Sequence, residues 1–189
     1  METTPRHTLS QRMQIWIEGT LLGRYAPLEK PGWLLKHLFK IPIPLYRAGL
    51  GGWVGKVFLM ISTTGRVSGK TRYTVLEFVA CPRTGHPIIM SGWANRSDWV
   101  RNLRANPACG LWMGDSLRGS PTRAEALSEE EIADVIGIFL RNAPQMATIF
   151  ERWSGHTLDG SREALLATAP YFPCFRLVPN GISRAKEAA

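Results

Sequence analysis

Thr63-Thr64-Gly65-Arg66-Val67-Ser68-Gly69-Lys70-Thr71-Arg72 lies between two runs of strand-forming residues. Upstream, Lys56 to Ser62 is an apolar run containing Val57, Phe58, Leu59, Met60 and Ile61. Downstream, Arg72 to Ala80 carries Tyr73, Thr74, Val75, Phe78 and Val79, residue types that fit a pleated, half-buried surface. The quoted stretch therefore reads as the loop of a hairpin, which makes the centre of the chain antiparallel sheet. Gly65 and Gly69 let the backbone turn tightly and turn its N–H groups toward an anion. Arg66, Lys70 and Arg72 add three positive charges, and Ser68 and Thr71 add neutral donors. Arginine offers a planar fork to phosphate oxygens and lysine a point charge. The set suits a phosphate or a carboxylate, but it would serve equally as a solvated basic hairpin loop. A nucleotide P-loop is excluded. That motif needs four residues between its glycines and a helix after its lysine; here Thr64 takes the place of the required glycine and a strand follows.

Working outward, Pro82-Arg83-Thr84-Gly85 signals a turn and Pro87 to Ser91 a third strand. Asn95 to Asn106 reads as a helix, with Ser97 as its N-cap, Asp98 in the first turn, Trp99 and Leu103 on one face, and Pro107 beyond its end. Ala108 to Met113 and Ser120 to Leu127 form a further hairpin around Gly114-Asp115-Ser116. Ser128-Glu129-Glu130-Glu131 is a capping box ahead of Ile132, Val135, Ile136 and Phe139. A weaker helical patch covers Gln145 to Trp153, and Phe172 to Val178 reads as a closing strand. Five or six mostly antiparallel strands with helices outside them make an α+β barrel.

The first fifty residues differ in character, so the expected division is a helical N-terminal arm over 1–50, a barrel domain over 51–180 and a polar tail over 181–189. Gln11 to Leu22 suits a short helix, and Trp33 to Lys40 is apolar with Lys36, His37 and Lys40 interspersed. Pro42 and Pro44 are expected to stop it. Such a segment can lie on an anionic bilayer or pack on the core with its lysines in water; both readings stay open. The net charge of +8 over 189 residues favours an anionic partner, whether phosphate-bearing ligand, acidic membrane surface or nucleic acid. Cys81, Cys109 and Cys174 include no C-x-x-C pair and the four histidines have no metal-ligand spacing, so no metal site is expected. Unpaired thiols, a polar N-terminus and no apolar stretch of about 20 residues point to a cytoplasmic protein, with peripheral contact to the inner face of the membrane left open.

Residues 62–76 resemble the T-T-G-R-x-S-G-K-x-R-x-T-P-L signature of the deazaflavin (F420)-dependent nitroreductase family, flavin/deazaflavin oxidoreductases with a split β-barrel of the FMN-binding type. Trp99-Val100-Arg101-Asn102-Leu103-Arg104-Ala105-Asn106-Pro107 is similar to the family's W-Y-x-N-L-x-A-N-P. The resemblance implies coenzyme F420, a deazaflavin hydride carrier with a phospholactyl-polyglutamate tail, and a quinone, nitroaromatic or related conjugated acceptor. It implies that Thr64, Gly65, Arg66, Ser68, Gly69, Lys70 and Arg72 hold the phosphate and acidic tail. Thr74, Val75 and Leu76 would run beside the ring, Ser91 and Gly92 would approach it with backbone groups, and Trp99 and Asn102 would buttress the pocket from the helix, while Trp93 could stack on the ring or narrow the substrate side. Val75 stands where the family has proline, and Met90-Ser91-Gly92-Trp93-Ala94 replaces its A-S-x-G-G.

No Ser/His/Asp set or carboxylate pair stands out, so no catalytic residue is assigned; a proton could come from solvent or from a hydroxyl such as Ser91. Trp153 and Tyr171 could line an acceptor pocket or belong to the core. The alternatives are FMN or haem on the same barrel, or a non-enzymatic basic protein binding membrane or single-stranded nucleic acid. Nucleic acid is not the expected partner, and the chain is expected to be a monomer or homodimer.

Overall fold

The computed structural model describes residues 41–54, 58–80 and 84–180. The tail over 181–189, the turn residues Pro82 and Arg83, and most of the proposed arm, residues 1–40, lie outside the described residues. The described chain falls into two compact units, one over 41–128 and 171–180, the other over 129–170.

The first unit is a closed barrel of six antiparallel strands: β1 Phe58–Thr64, β2 Thr71–Ala80, β3 Pro87–Met90, β4 Ala108–Trp112, β5 Ser120–Ala126 and β6 Cys174–Pro179. Around the barrel the order is β1-β2-β3-β6-β5-β4, with β4 returning to β1. The fold is thus the α+β split barrel expected from the sequence.

Register decides which side chains share a face. Opposite Leu59, Ile61 and Thr63 of β1 stand Leu76, Thr74 and Arg72 of β2. Leu59 and Ile61 belong to the barrel core with Ile89, Leu111, Ala124, Phe175 and Leu177, and Leu76 and Phe78 pack against it. Because side chains alternate along a strand, Met60, Ser62, Tyr73 and Val75 occupy the outer face.

A helix, α2 (Asp98–Ala105), contributes Trp99, Val100 and Leu103 to the same core. Trp99 meets Phe175 edge to face, with ring centroids 5.8 Å apart. Sequence placed this helix from Asn95, but Ala94–Arg96 is a separate 3-10 turn. The run over 33–40 that Pro42 and Pro44 are expected to stop lies outside the described residues; Pro42 itself opens α1 (Pro42–Arg47), where a missing N–H costs nothing because first-turn N–H groups have no helical acceptor.

The second unit holds α3 Glu129–Asn142, α4 Ala147–Ser154 and α5 Arg162–Thr168. Phe139 and Phe150 pack edge to face, and Arg162 pairs with Asp134 at 2.6 Å. The sequence reading omitted α5. Its signal was Ser161, whose hydroxyl accepts the Ala164 N–H at 3.1 Å as an N-cap. Trp153 is half-buried in α4, whereas Tyr171, in the barrel unit, is exposed.

Candidate functional site

The anion-gripping candidate is the β1–β2 loop. Thr64 and Thr71 are the last paired residues of the two strands. Inside the loop, the Gly65 N–H donates to the Lys70 carbonyl at 2.9 Å and the Gly69 N–H to the Gly65 carbonyl at 2.8 Å. Each glycine has its own reason. A side chain on Gly65 would come within 2.8 Å of Ser68 Oγ and 3.1 Å of the Lys70 carbonyl. Gly69 has φ +64°, a left-handed conformation that other residues adopt at a cost.

The loop is fastened to α2 by one buried amide. Asn102 is 3% exposed. Its Nδ2 donates to Thr63 Oγ1 at 3.3 Å, and its Oδ1 accepts both the Arg66 backbone N–H at 3.1 Å and Arg66 Nη1 at 3.3 Å. Arg66 Nη1 also lies 3.3 Å from Asp98 Oδ1. The W-x-x-N spacing of the sequence thus puts Trp99 into the core and Asn102 under the loop. Trp99 supports the site as packing and does not line it.

Lys70 and Arg72 are exposed, and among the described residues neither has a carboxylate partner. Ser68 Oγ accepts long contacts from the Lys70 N–H at 3.4 Å and Arg72 Nη2 at 3.5 Å. This donor set, three cations with small hydroxyl and backbone donors on a pinned loop, fits a phosphorylated, acidic group.

On the ring side the structure separates residues that the resemblance groups. Thr74 and Leu76 share the inner face, whereas Val75 lies on the outer face, paired in register with Met60. Val75 therefore belongs with Tyr73, which meets Trp112 edge to face at 5.8 Å and carries the Arg47 guanidinium 5.7 Å above its ring. Alternation sends the Thr74 and Leu76 side chains to one side of β2 and that of Val75 to the other.

Ser91 is 2% exposed. Its hydroxyl donates to the Ala94 carbonyl at 3.0 Å, so the 2.8 Å contact with Ser97 Oγ takes its proton from Ser97. Its one hydrogen is spent internally, which makes it a poor proton donor to a substrate. Ser97 flanks α2 in the cap position but makes no side-chain capping bond; the pull of Ser91 overrides the capping expected from sequence. Gly92 and Trp93 are half-buried beside Ala94, whose φ of 48° is left-handed. The two clusters meet at the start of α2: Ser97 holds the end of β3, and its neighbour Asp98 reaches Arg66.

Sequence reasoning missed Thr63, Ser97 and Asp98 as parts of this assembly. Asp98 was findable, because it precedes Asn102 by four residues and so shares its helix face. Of the thiols, Cys109 is pushed up to about 11 by burial and Cys174 is raised further by the same cause, so neither is a thiolate near neutral pH.

A family model described as F420H(2)-dependent quinone reductase matches residues 46–159. No curated protein sequence matches the chain. Among solved structures, an F420-H2 dependent reductase (FDR-A) is 24% identical, with 65% of this chain and 94% of that one covered and a TM-score of 0.43. HutZ, a haem storage protein from Vibrio cholerae, is 16% identical over 75% and 89% of the two chains, with a TM-score of 0.42. A haem binding protein from Mycobacterium smegmatis is 12% identical over 70% and 48%, with a TM-score of 0.41.

Proposed function

The chain belongs to the F420H(2)-dependent quinone reductase family, and from that premise we propose that it reduces a quinone, gripping the acidic tail of F420 with the loop over 64–72. It is an oxidoreductase and its cofactor is F420; FMN is not needed. When bound, the reduced deazaflavin supplies the hydride, and the protein supplies binding and orientation. The observation that carries the reading is the pinned loop with two cations, Lys70 and Arg72, lacking a carboxylate partner among the described residues. Arg66, Lys70 and Arg72 hold the tail's anionic oxygens, Ser68 adds a neutral donor, and Asn102 keeps Arg66 in place. The deazaflavin ring runs beside Thr74, Val75 and Leu76 of β2. The closing proton on the quinone comes from water, since Ser91 is buried and its hydrogen engaged. Nitroaromatics fit the same chemistry as alternative acceptors.

Mixing the purified protein with reduced F420 and menadione is expected to oxidise the cofactor in step with quinone loss. Binding of F420 without turnover on any quinone would remove the acceptor assignment but leave the cofactor.

We also propose contact with an anionic bilayer, the medium of a lipophilic quinone. No described helix is long and apolar enough to cross a membrane. The barrel unit nevertheless shows Ile41, Leu50, Trp53 and Leu117 to solvent, Trp53 by 85%. Gly52 N–H donates to Asp115 Oδ1 at 2.8 Å, tying the Trp53 turn to the hairpin that carries Leu117 and the exposed Arg118. An aromatic and aliphatic patch beside cations suits a headgroup surface. Sedimentation with anionic but not neutral vesicles, weakened by salt, is expected; equal recovery in the supernatant with both contradicts the contact.

A further inference from the structure

We propose that Asp98 is a built-in counter-ion of the anion-gripping loop, occupying Arg66 until a ligand's phosphate takes its place and thereby setting how tightly the loop holds an anion. This rests on the reading that residues 64–72 receive an acidic tail.

Arg66 Nη1 is divided between two acceptors, Asp98 Oδ1 and Asn102 Oδ1, each 3.3 Å away. A committed charge-assisted hydrogen bond is shorter, about 2.7–2.9 Å. The two acceptors differ in how they are held. Asn102 is buried, bonded to Thr63, and takes the Arg66 backbone N–H as well. The Asp98 side chain is 70% exposed, against 31% for Arg66. The amide is the permanent anchor, and the carboxylate is the one that can leave.

The sign of the effect follows. With Asp98 present, the loop's three cations are opposed by one carboxylate among the described residues. Removing that charge leaves Arg66 fixed by Asn102 and raises the field felt by an incoming anion. At a surface, one charge a few ångströms from a phosphate changes affinity by about three- to tenfold at low salt, and screening reduces this at high salt. Were Asp98 instead the residue that positions Arg66, its loss would weaken binding. If it served only the start of α2, where an acidic side chain is favourable, its loss would lower stability and leave affinity unchanged.

The experiment is a fluorescence titration of oxidised F420 into the full-length protein and its Asp98→Asn, Asp98→Ser and Asp98→Glu variants, at low and high salt. It is repeated with a deazaflavin lacking the phosphorylated tail. Asp98→Asn and Asp98→Ser are expected to bind F420 about three- to tenfold more tightly at low salt, with the gain shrinking at high salt. Asp98→Glu should restore wild-type affinity, and the tail-free compound should not respond to any substitution. In turnover, KM for reduced F420 should fall in Asp98→Asn with little change in kcat. Equal or weaker F420 binding by both Asp98→Asn and Asp98→Ser at low salt overturns the proposal, as does a gain that is the same at high salt. If the wild type binds no F420 at all, it is the cofactor reading that fails. Calorimetry with inorganic pyrophosphate then decides on Asp98 alone: tighter binding by Asp98→Asn supports the counter-ion, and no difference or no binding overturns it.

Discussion

Replacing Lys70 with alanine is expected to weaken F420 binding by about 1.5–3 kcal/mol, the range for a hydrogen bond to a charged group, or one to two orders of magnitude in Kd. Lys70 follows Gly69, whose left-handed φ of +64° turns the chain back toward β2. Its carbonyl is fixed by the Gly65 N–H at 2.9 Å, so its backbone is set before any ligand arrives. The ammonium is exposed and has no carboxylate partner among the described residues. Nothing in the fold therefore needs it, and the folded state should tolerate its loss: thermal midpoint unchanged, affinity lowered. Because the site is open to solvent, salt should shrink the difference. A titration at two salt concentrations reads both effects. Unaltered affinity in Lys70→Ala would mean that the tail does not reach this side of the loop.

The second large effect is structural. Trp99→Ala is expected to destabilise the barrel unit by about 3–5 kcal/mol, the usual cost of truncating a buried large aromatic. Trp99 is 8% exposed and shares the core with Val100, Leu103, Phe175 and Leu177. Its edge-to-face contact with Phe175 joins α2 to β6. A loss of that size lowers the melting temperature by roughly 6–20 °C for a chain of this length. The consequence for function runs through Asn102, three residues on, whose amide fastens the loop. Loosening α2 frees Arg66, so F420 affinity should fall together with stability. Urea melts paired with the titration separate this from Lys70→Ala, where affinity falls alone. A destabilisation below about 1 kcal/mol would place Trp99 outside the core.

The difference between these two positions shows what the sequence could and could not disclose. The loop was legible because its chemistry is local: two glycines with distinct duties, three cations and strand formers on both sides. The helix after it was legible for the same reason, with Trp99 and Leu103 on one face. The barrel itself was expected from the number and kind of its strands, but which strands close it was not, since β1 meets β4 through pairs such as Ile61 with Leu111, and no short-range pattern specifies a pairing that distant. The grouping of Thr74, Val75 and Leu76 beside the ring came from resemblance; the two-residue alternation adds that the Val75 side chain faces outward and those of its neighbours inward. Ser97 misled because a serine before a helix is usually its cap, and only the fold brings Ser91 within 2.8 Å of it. Asp98 was passed over as a first-turn acid, although its spacing from Asn102 already placed both on one side of α2.

The central claim is that the loop over 64–72 recognises the tail of the cofactor, and one comparison tests it directly. Wild-type protein is titrated with F420 and, in parallel, with a deazaflavin that has the same ring but no phosphorylated tail. Recognition by Arg66, Lys70 and Arg72 predicts micromolar binding of F420 and at least roughly tenfold weaker binding of the tail-free compound, a conservative figure for contacts of this kind. Equal affinity for the two compounds would contradict the claim and leave the loop a solvated basic hairpin.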